Sequence, residues 1–431
     1  MGLISAQILD FLMFSIWIFL LSKMQHQDFL RSDRITRVIN KRVTVRSGYG
    51  VLSLSLVIFF GWIALLRQIP IESLFGRIVS LLQNYYPYDS WFWDGIGQSK
   101  QFYCSTQVDI YLDGSCIGPL YNYPAIYKYF PASLSNYSWV SVTSVFVCWI
   151  LISAFLIHRS QITLLGFTLI SFSPALFFTY ERANWETLVA FFLLLGSWAL
   201  WKSNVLAKTS SRNFCFILSI LCLVSLVMLK FFGILFAISM FFLVDSRLKR
   251  YIVILCGVIL SLWTYFELEL IKGLNNGPTP GTSSLGLKSL LKYWEFNFGF
   301  IIAFLTIVLF RKQICDLIKR SLNLGHVLYL NRLQVPLLGT LFVYNATWLL
   351  TSNVFYRALL ISPLLLMITR YESKLFLMGI FLSLNYLTPF TTVANFASFL
   401  LLIVNIGVII AWIKNTSPRF VKLFPSSNKR E

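Results

Sequence analysis

Apolar residues run through this chain in long blocks, with little of the alternation of a strand or the one-faced stripe of a surface helix. Blocks lie near 2–22, 49–66, 138–157, 162–179, 187–201, 213–229, 231–244, 251–266, 297–310, 335–352, 355–369, 375–389 and 391–413, bounded by charged or turn residues. A helix needs roughly 20 apolar residues to cross a hydrocarbon core of about 30 Å. In lipid it also satisfies every backbone N–H and C=O internally. The expected fold is all-α, a polytopic integral membrane protein of about 13 transmembrane helices. The range is about 11 to 13, because several blocks are short and two are separated only by the turn Lys230-Phe231-Phe232-Gly233.

Composition sharpens this reading. Of 431 residues 57% are hydrophobic and 12% charged, with a mean hydropathy of +0.72. That excludes a soluble globular class and leaves no room for a large soluble domain. No repeat or long linker stands out, so residues 1–431 are read as a single membrane domain. The net charge of +19 is explained by topology. Counted on alternate sides of the blocks, 26 Lys and Arg fall on one side and 10 on the other. The basic side is expected to be cytoplasmic, which puts the N-terminus outside and the C-terminus inside. Such loops suit an anionic leaflet, so no nucleic-acid partner is needed. The first block has no basic flank before it and is read as a retained span, with Asp10 near the outer interface.

Two outward segments are long enough to form structure, 67–137 and 268–296. The first is expected to be a large structured loop, with an interfacial helix over 71–84. It holds ten of the twenty Tyr, plus Trp91 and Trp93, a composition suited to sugar faces and lipid headgroups alike. All three His (His26, His158, His326) fall on the basic side, so outward acid–base chemistry must come from carboxylates. Candidates are Asp89, Asp94, Asp109, Asp113, Glu181, Glu186, Glu267, Glu269 and Glu295. Asp89 and Asp94 stand out, because the stretch from Tyr88 to Gly95 sets them among large aromatics that raise a carboxyl pKa by desolvation. The polar turn from Tyr180 to Glu186 supplies Glu181, Arg182 and Asn184, of which Arg182 suits a phosphate or carboxylate. Lys230 and Arg357 are the outward cations set deepest in apolar sequence, candidates to face an anionic headgroup. Cys104 and Cys116 are the outward cysteines, and their separation permits a structural disulfide in an oxidising compartment. No Cys/His ligand spacing and no paired-Asp motif appear outside, so no cofactor is expected, with a divalent metal left open as the alternative. Nucleotide-binding loops are absent too, so a glycosyl donor here is expected to be lipid-linked.

Several of these pieces together resemble the GT-C superfamily of polytopic glycosyltransferases that use polyprenyl-phosphate sugars. The matching residues are Asp89 to Gly95, Gly114 through Gly118-Pro119-Leu120-Tyr121-Asn122-Tyr123-Pro124, and Ser173-Pro174-Ala175-Leu176-Phe177-Phe178 with Glu181-Arg182-Ala183-Asn184. Leu229-Lys230-Phe231-Phe232-Gly233 is similar to the lysine turn of the bacterial mannosyltransferase-like branch, and Asn275–Leu285 and Asn353–Arg357 to its later outward loops. Ala183 stands where that branch has Gly, and the Pro usual near Gly233 is missing. The resemblance implies inverting transfer of a hexose, mannose first, from a polyprenyl-phosphate-sugar donor to a lipid or glycan acceptor on the outer face. It implies Asp89 or Asp94 as base, and Glu181, Arg182, Asn184, Lys230, Arg357 and Tyr123 on the substrate and phosphate side. The membrane it implies is a bacterial inner membrane. A polysaccharide polymerase or ligase, or a lipid or solute transporter or flippase, remains the alternative.

Overall fold

The computed structural model describes residues 3–23, 41–66, 138–158, 163–173, 176–177, 179–180, 185–270, 284–285, 308–330, 340–345, 353–354, 376, 379–380, 382–384 and 391–416. Helices dominate them: α1 (Leu3–Lys23), α2 (Val45–Leu66), α3 (Ser138–His158), α4 (Leu164–Ser171), α5 (Glu186–Val205) and α6 (Thr209–Leu229). A 3-10 helix (Phe231–Leu235) leads into α7 (Phe236–Leu243), followed by α8 (Arg247–Leu270), α9 (Arg311–Leu330) and α10 (Thr391–Thr416). Two strands of two residues, β1 (Ser284–Leu285) and β2 (Asn353–Val354), pair antiparallel with Ser284 opposite Val354. The described chain is therefore helical, as the apolar blocks predict.

Four helices among the described residues are long and apolar enough to cross a bilayer, over Glu186–Val205, Thr209–Leu229, Arg247–Phe266 and Thr392–Asn415. Three of them outrun their apolar blocks by about a turn at the basic end. Lys202, Arg212 and Lys249 stand in these extra turns: Lys202 Nζ sits 4.6 Å from the Trp201 ring centre, while Arg212 Nε and Lys249 Nζ both donate to Ser203 O. The loop expected over 67–137 lies outside the described residues, as does most of 268–296.

Three segments depart from the block pattern. The block 162–179 is not one continuous helix: α4, capped by the Thr163 hydroxyl on Gly166 N–H at 3.2 Å, ends at Phe172. A new turn starts at Ser173, whose Oγ accepts from Leu176 N–H at 3.2 Å and whose carbonyl accepts from Leu176 and Phe177. Ser173 therefore acts as an N-cap for this new turn, its hydroxyl satisfying a backbone N–H left open at a helix start. Apolarity cannot show such a break. The block 231–244 likewise begins as a 3-10 helix after an extended Lys230. Lastly, 311–333 is read from sequence as a basic connection, but most of it is α9, whose inner face is pressed on α10.

Contacts sort the connections into two ends. At one, Lys41 O accepts from Leu164 N–H at 2.8 Å, Arg42 bridges to Thr163, and Tyr49 Oη lies 3.2 Å from His158 Nε2. Segments 203–212 and 243–250 meet there by side-chain bonds, and Arg320 donates to Leu21 O and Ser22 O at the end of α1. Every one of these segments belongs to the basic set. At the other end Asp10 meets Thr392 at the start of α10; β1 pairs with β2, and β1 also lies against α10.

Helix packing in lipid relies on close fit and interhelical hydrogen bonds, because burial from lipid gains no hydrophobic free energy. At Gly325 and Gly407 a Cβ would collide with the Val404 and Leu322 carbonyl oxygens, so α9 and α10 cross backbone to backbone. Asn345 Nδ2 donates to Leu401 O at 2.9 Å and Asn405 Nδ2 to Leu341 O at 3.3 Å, which sets residues 340–345 antiparallel to α10. Phe14 and Trp17 lie on Phe396 while Asp10 reaches Thr392, so α1 and α10 run parallel.

Candidate functional site

The best-defined candidate site lies at the end of the α5–α6 hairpin away from the basic connections. Its register is set at Gly196, where a Cβ would come within 2.9 Å of Cys222 Cβ. Glu186 is ten residues before Gly196 and Lys230 eight after Cys222, about 15 and 12 Å along the two axes. The two groups therefore stand at one level. Glu186 is fully buried in the first turn of α5, where the helix dipole favours a carboxylate. Lys230, 6% exposed, ends α6, where the dipole favours a cation. A buried Thr187 follows Glu186.

The turn around Lys230 has a definite build. Lys230 N–H closes α6 on Leu226 O at 2.9 Å, and its carbonyl accepts from Gly233 N–H at 2.8 Å. Its extended backbone then breaks the helix. At Gly233 a Cβ would overlap the Leu226 carbonyl, so glycine alone lets the 3-10 turn fold against α6. The chain thereby holds an ammonium inside protein at the mouth of a helix break. In such a low-dielectric place a cation favours an anion strongly.

Tyr180 adds a fourth buried polar group at the far end of the interrupted block. Its ring stacks on Phe146 at 4.8 Å and meets Phe59 edge-on at 5.1 Å. Its hydroxyl has no hydrogen-bond partner among the described residues. The chain continues through 181–184 to the buried Trp185 and then Glu186.

Of the sequence-predicted site residues, the structure describes Lys230 and the candidate acids Glu186 in α5 and Glu267 and Glu269 in α8. Asp89, Asp94, Tyr123, Glu181, Arg182, Asn184, Arg357, Cys104 and Cys116 lie outside the described residues. The β1–β2 pair nevertheless ties together 284–285 and 353–354, from the two later segments that carry the resemblance. The sequence offers Glu186 as one of nine outward candidate acids, at the end of a polar turn. Its place in the first turn of an apolar helix was the available signal for burial. Asp10, expected near the outer interface, is 4% exposed, and both its carboxylate oxygens accept from Thr392, so it caps α10. No sequence spacing links positions 382 residues apart.

The opposite end has a different chemistry. Ser203 O accepts from Arg212 Nε at 3.2 Å and Lys249 Nζ at 3.0 Å, while Asp245 pairs with Arg212 at 3.2 Å and Lys249 at 3.8 Å. Asn204 Nδ2 donates to Leu243 O and Arg250 Nε to Val244 O. These bonds satisfy carbonyls left open at the ends of α5 and α7. Among the described residues no group of three or more His, Cys, Asp or Glu gathers in ligand geometry. Comparison with known proteins finds no matching family model, no matching curated protein and no matching solved structure.

Proposed function

We propose that the chain is a membrane glycosyltransferase that moves a hexose, mannose in first place, from a polyprenyl-phosphate-sugar donor to a lipid or glycan acceptor on the outer face. The observation that carries the reading is the burial of Lys230 at an interrupted helix level with Glu186. A desolvated cation there suits the phosphate of a lipid-linked donor, whose charge grows as the sugar departs. The acid-rich aromatic segment around Asp89 and Asp94 supplies the base that takes the acceptor hydroxyl proton. Displacement by that hydroxyl in one step inverts the anomeric carbon. Arg182, Arg357, Glu181, Asn184 and Tyr123 complete the substrate side, and Cys104–Cys116 staples the loop. The chemistry needs no metal or other cofactor. The proposal carries the full topology with it: about 13 crossings, a large outer loop over 67–137, N-terminus outside and C-terminus in the cytoplasm of a bacterial inner membrane.

The test is transfer of radiolabelled mannose from synthetic polyprenyl-phosphate-mannose to lipid in membranes holding the protein. An Asp89→Asn/Asp94→Asn pair, inserted at normal levels, is expected to lose about 100-fold or more, the usual worth of a general base. Lys230→Gln is expected to lose activity while Lys230→Arg keeps part of it. Full transfer by the paired Asp variant sinks the base assignment.

One observation favours the transporter reading: the break at Phe172–Ser173 inside an apolar block, with Ser171, Ser173 and Thr179 buried around it. Discontinuous helices line substrate sites in transporters. Flux of a labelled lipid or solute across proteoliposomes, with no sugar transfer, selects that reading.

A further inference from the structure

The connections 202–212 and 245–250 pack together and carry Lys202, Lys208, Arg212, Arg247, Lys249 and Arg250 against one acid, Asp245. Carbonyl capping accounts for part of this set. It engages Lys249, Arg250 and the Nε of Arg212, but Lys208 and Arg247 are exposed and belong to none of those bonds. Arg212 is held by Ser203 and Asp245 with its side chain 36% exposed, a guanidinium already oriented before any ligand arrives. One carboxylate cannot offset six gathered cations, and the excess draws an anion from outside the chain. Phosphate is the anion that an oriented guanidinium with neighbouring ammonium groups fits best.

The surface beside the cluster tells which phosphate. Directly along α6 from the cations, Phe214, Ile217 and Leu221 are exposed, and along α8 so are Leu248, Tyr251 and Leu255. A phosphate at the helix ends with apolar surface adjoining it is the geometry of a phospholipid whose headgroup meets the cations while its chains lie on α6 and α8. We propose that this cluster is a binding site for an anionic phospholipid headgroup, independent of the transfer reaction proposed above.

The experiment places the full-length protein in bilayer discs of phosphatidylglycerol and phosphatidylcholine with matched chains and measures retained lipid by native mass spectrometry. Wild type is expected to retain phosphatidylglycerol preferentially. Lys208→Gln/Arg247→Gln, which leaves every capping bond intact, is expected to weaken that retention about fivefold for each charge removed. Lys312→Gln/Lys319→Gln removes two exposed cations from α9 and serves as the control, with no change expected. Equal loss in both pairs means a diffuse surface potential and overturns the site, as does the absence of any preference in wild type. Glycerol phosphate added at the lipid's concentration is expected not to compete; if it competes equally, the source is a soluble phosphate and the lipid assignment fails. A salt titration on unaltered protein gives a reading independent of any variant's folding. Retention must fall as ionic strength rises, and a salt-independent preference overturns the electrostatic site.

Discussion

At the residue scale, the buried charges among the described residues lie where a helix end receives them. Asp10 receives the Thr392 N–H and hydroxyl in the first turn of α10, and Glu186 and Lys230 sit at the dipole ends that suit them. Removing the Asp10 carboxylate leaves Thr392 N–H without its acceptor, so Asp10→Ala is expected to lower stability by about 1–2 kcal/mol. Thermal unfolding in detergent checks this, and Thr392→Val tests the hydroxyl half of the same contact. His326 gives a pH prediction. Partial burial, then Lys414, hold its pKa below the ordinary 6.5. Between the lowered folded value and 6.5 the unfolded chain binds more protons, so stability rises with pH there. Acidification through 6.5 is therefore expected to lower the unfolding temperature, and His326→Gln to flatten that dependence.

At the scale of elements, close backbone approach decides what packs on what. Gly325 and Gly407 let α9 and α10 cross with carbonyls against glycine, so Gly325→Val has no room and is expected to cost about 3 kcal/mol or more. Gly257→Ala is the contrasting case. Its Cβ would stand 3.6 Å from Ala237 Cβ, an ordinary contact, and near-wild-type stability is expected in the same unfolding assay. The Asn345 and Asn405 bonds contribute less, about 0.6 kcal/mol each by analogy with other interhelical bonds in membranes. The sequence carried the helix break at Ser173-Pro174 openly, as a capping residue before a proline. It was hidden because hydropathy averages over just those residues. The folding of 311–333 into α9 was less legible, since a basic helix half-buried on a partner looks like a loop until the partner is known.

At the scale of the whole molecule, the described basic connections gather at one end of the helices, and labelling can test what that means for sidedness. In a cysteine-free background, single cysteines at 315 and 246 are expected to react with an impermeant thiol reagent from one side of the membrane, and cysteines at 284 and 354 from the other. Reaction of all four from the same side overturns the alternation. The apolar blocks by themselves determined a helical membrane protein, because transfer into lipid is a sum over local residues and needs no knowledge of neighbours. Charge counting separated the connections for the same reason: each loop meets the membrane field independently. The tertiary structure alone decided that Asp10 caps a helix at the far end of the chain, that Glu186 stands level with Lys230, and that α9 lies on α10. Those outcomes depend on the shape and hydrogen-bond match of surfaces contributed by distant segments, and no local pattern encodes which surfaces will meet.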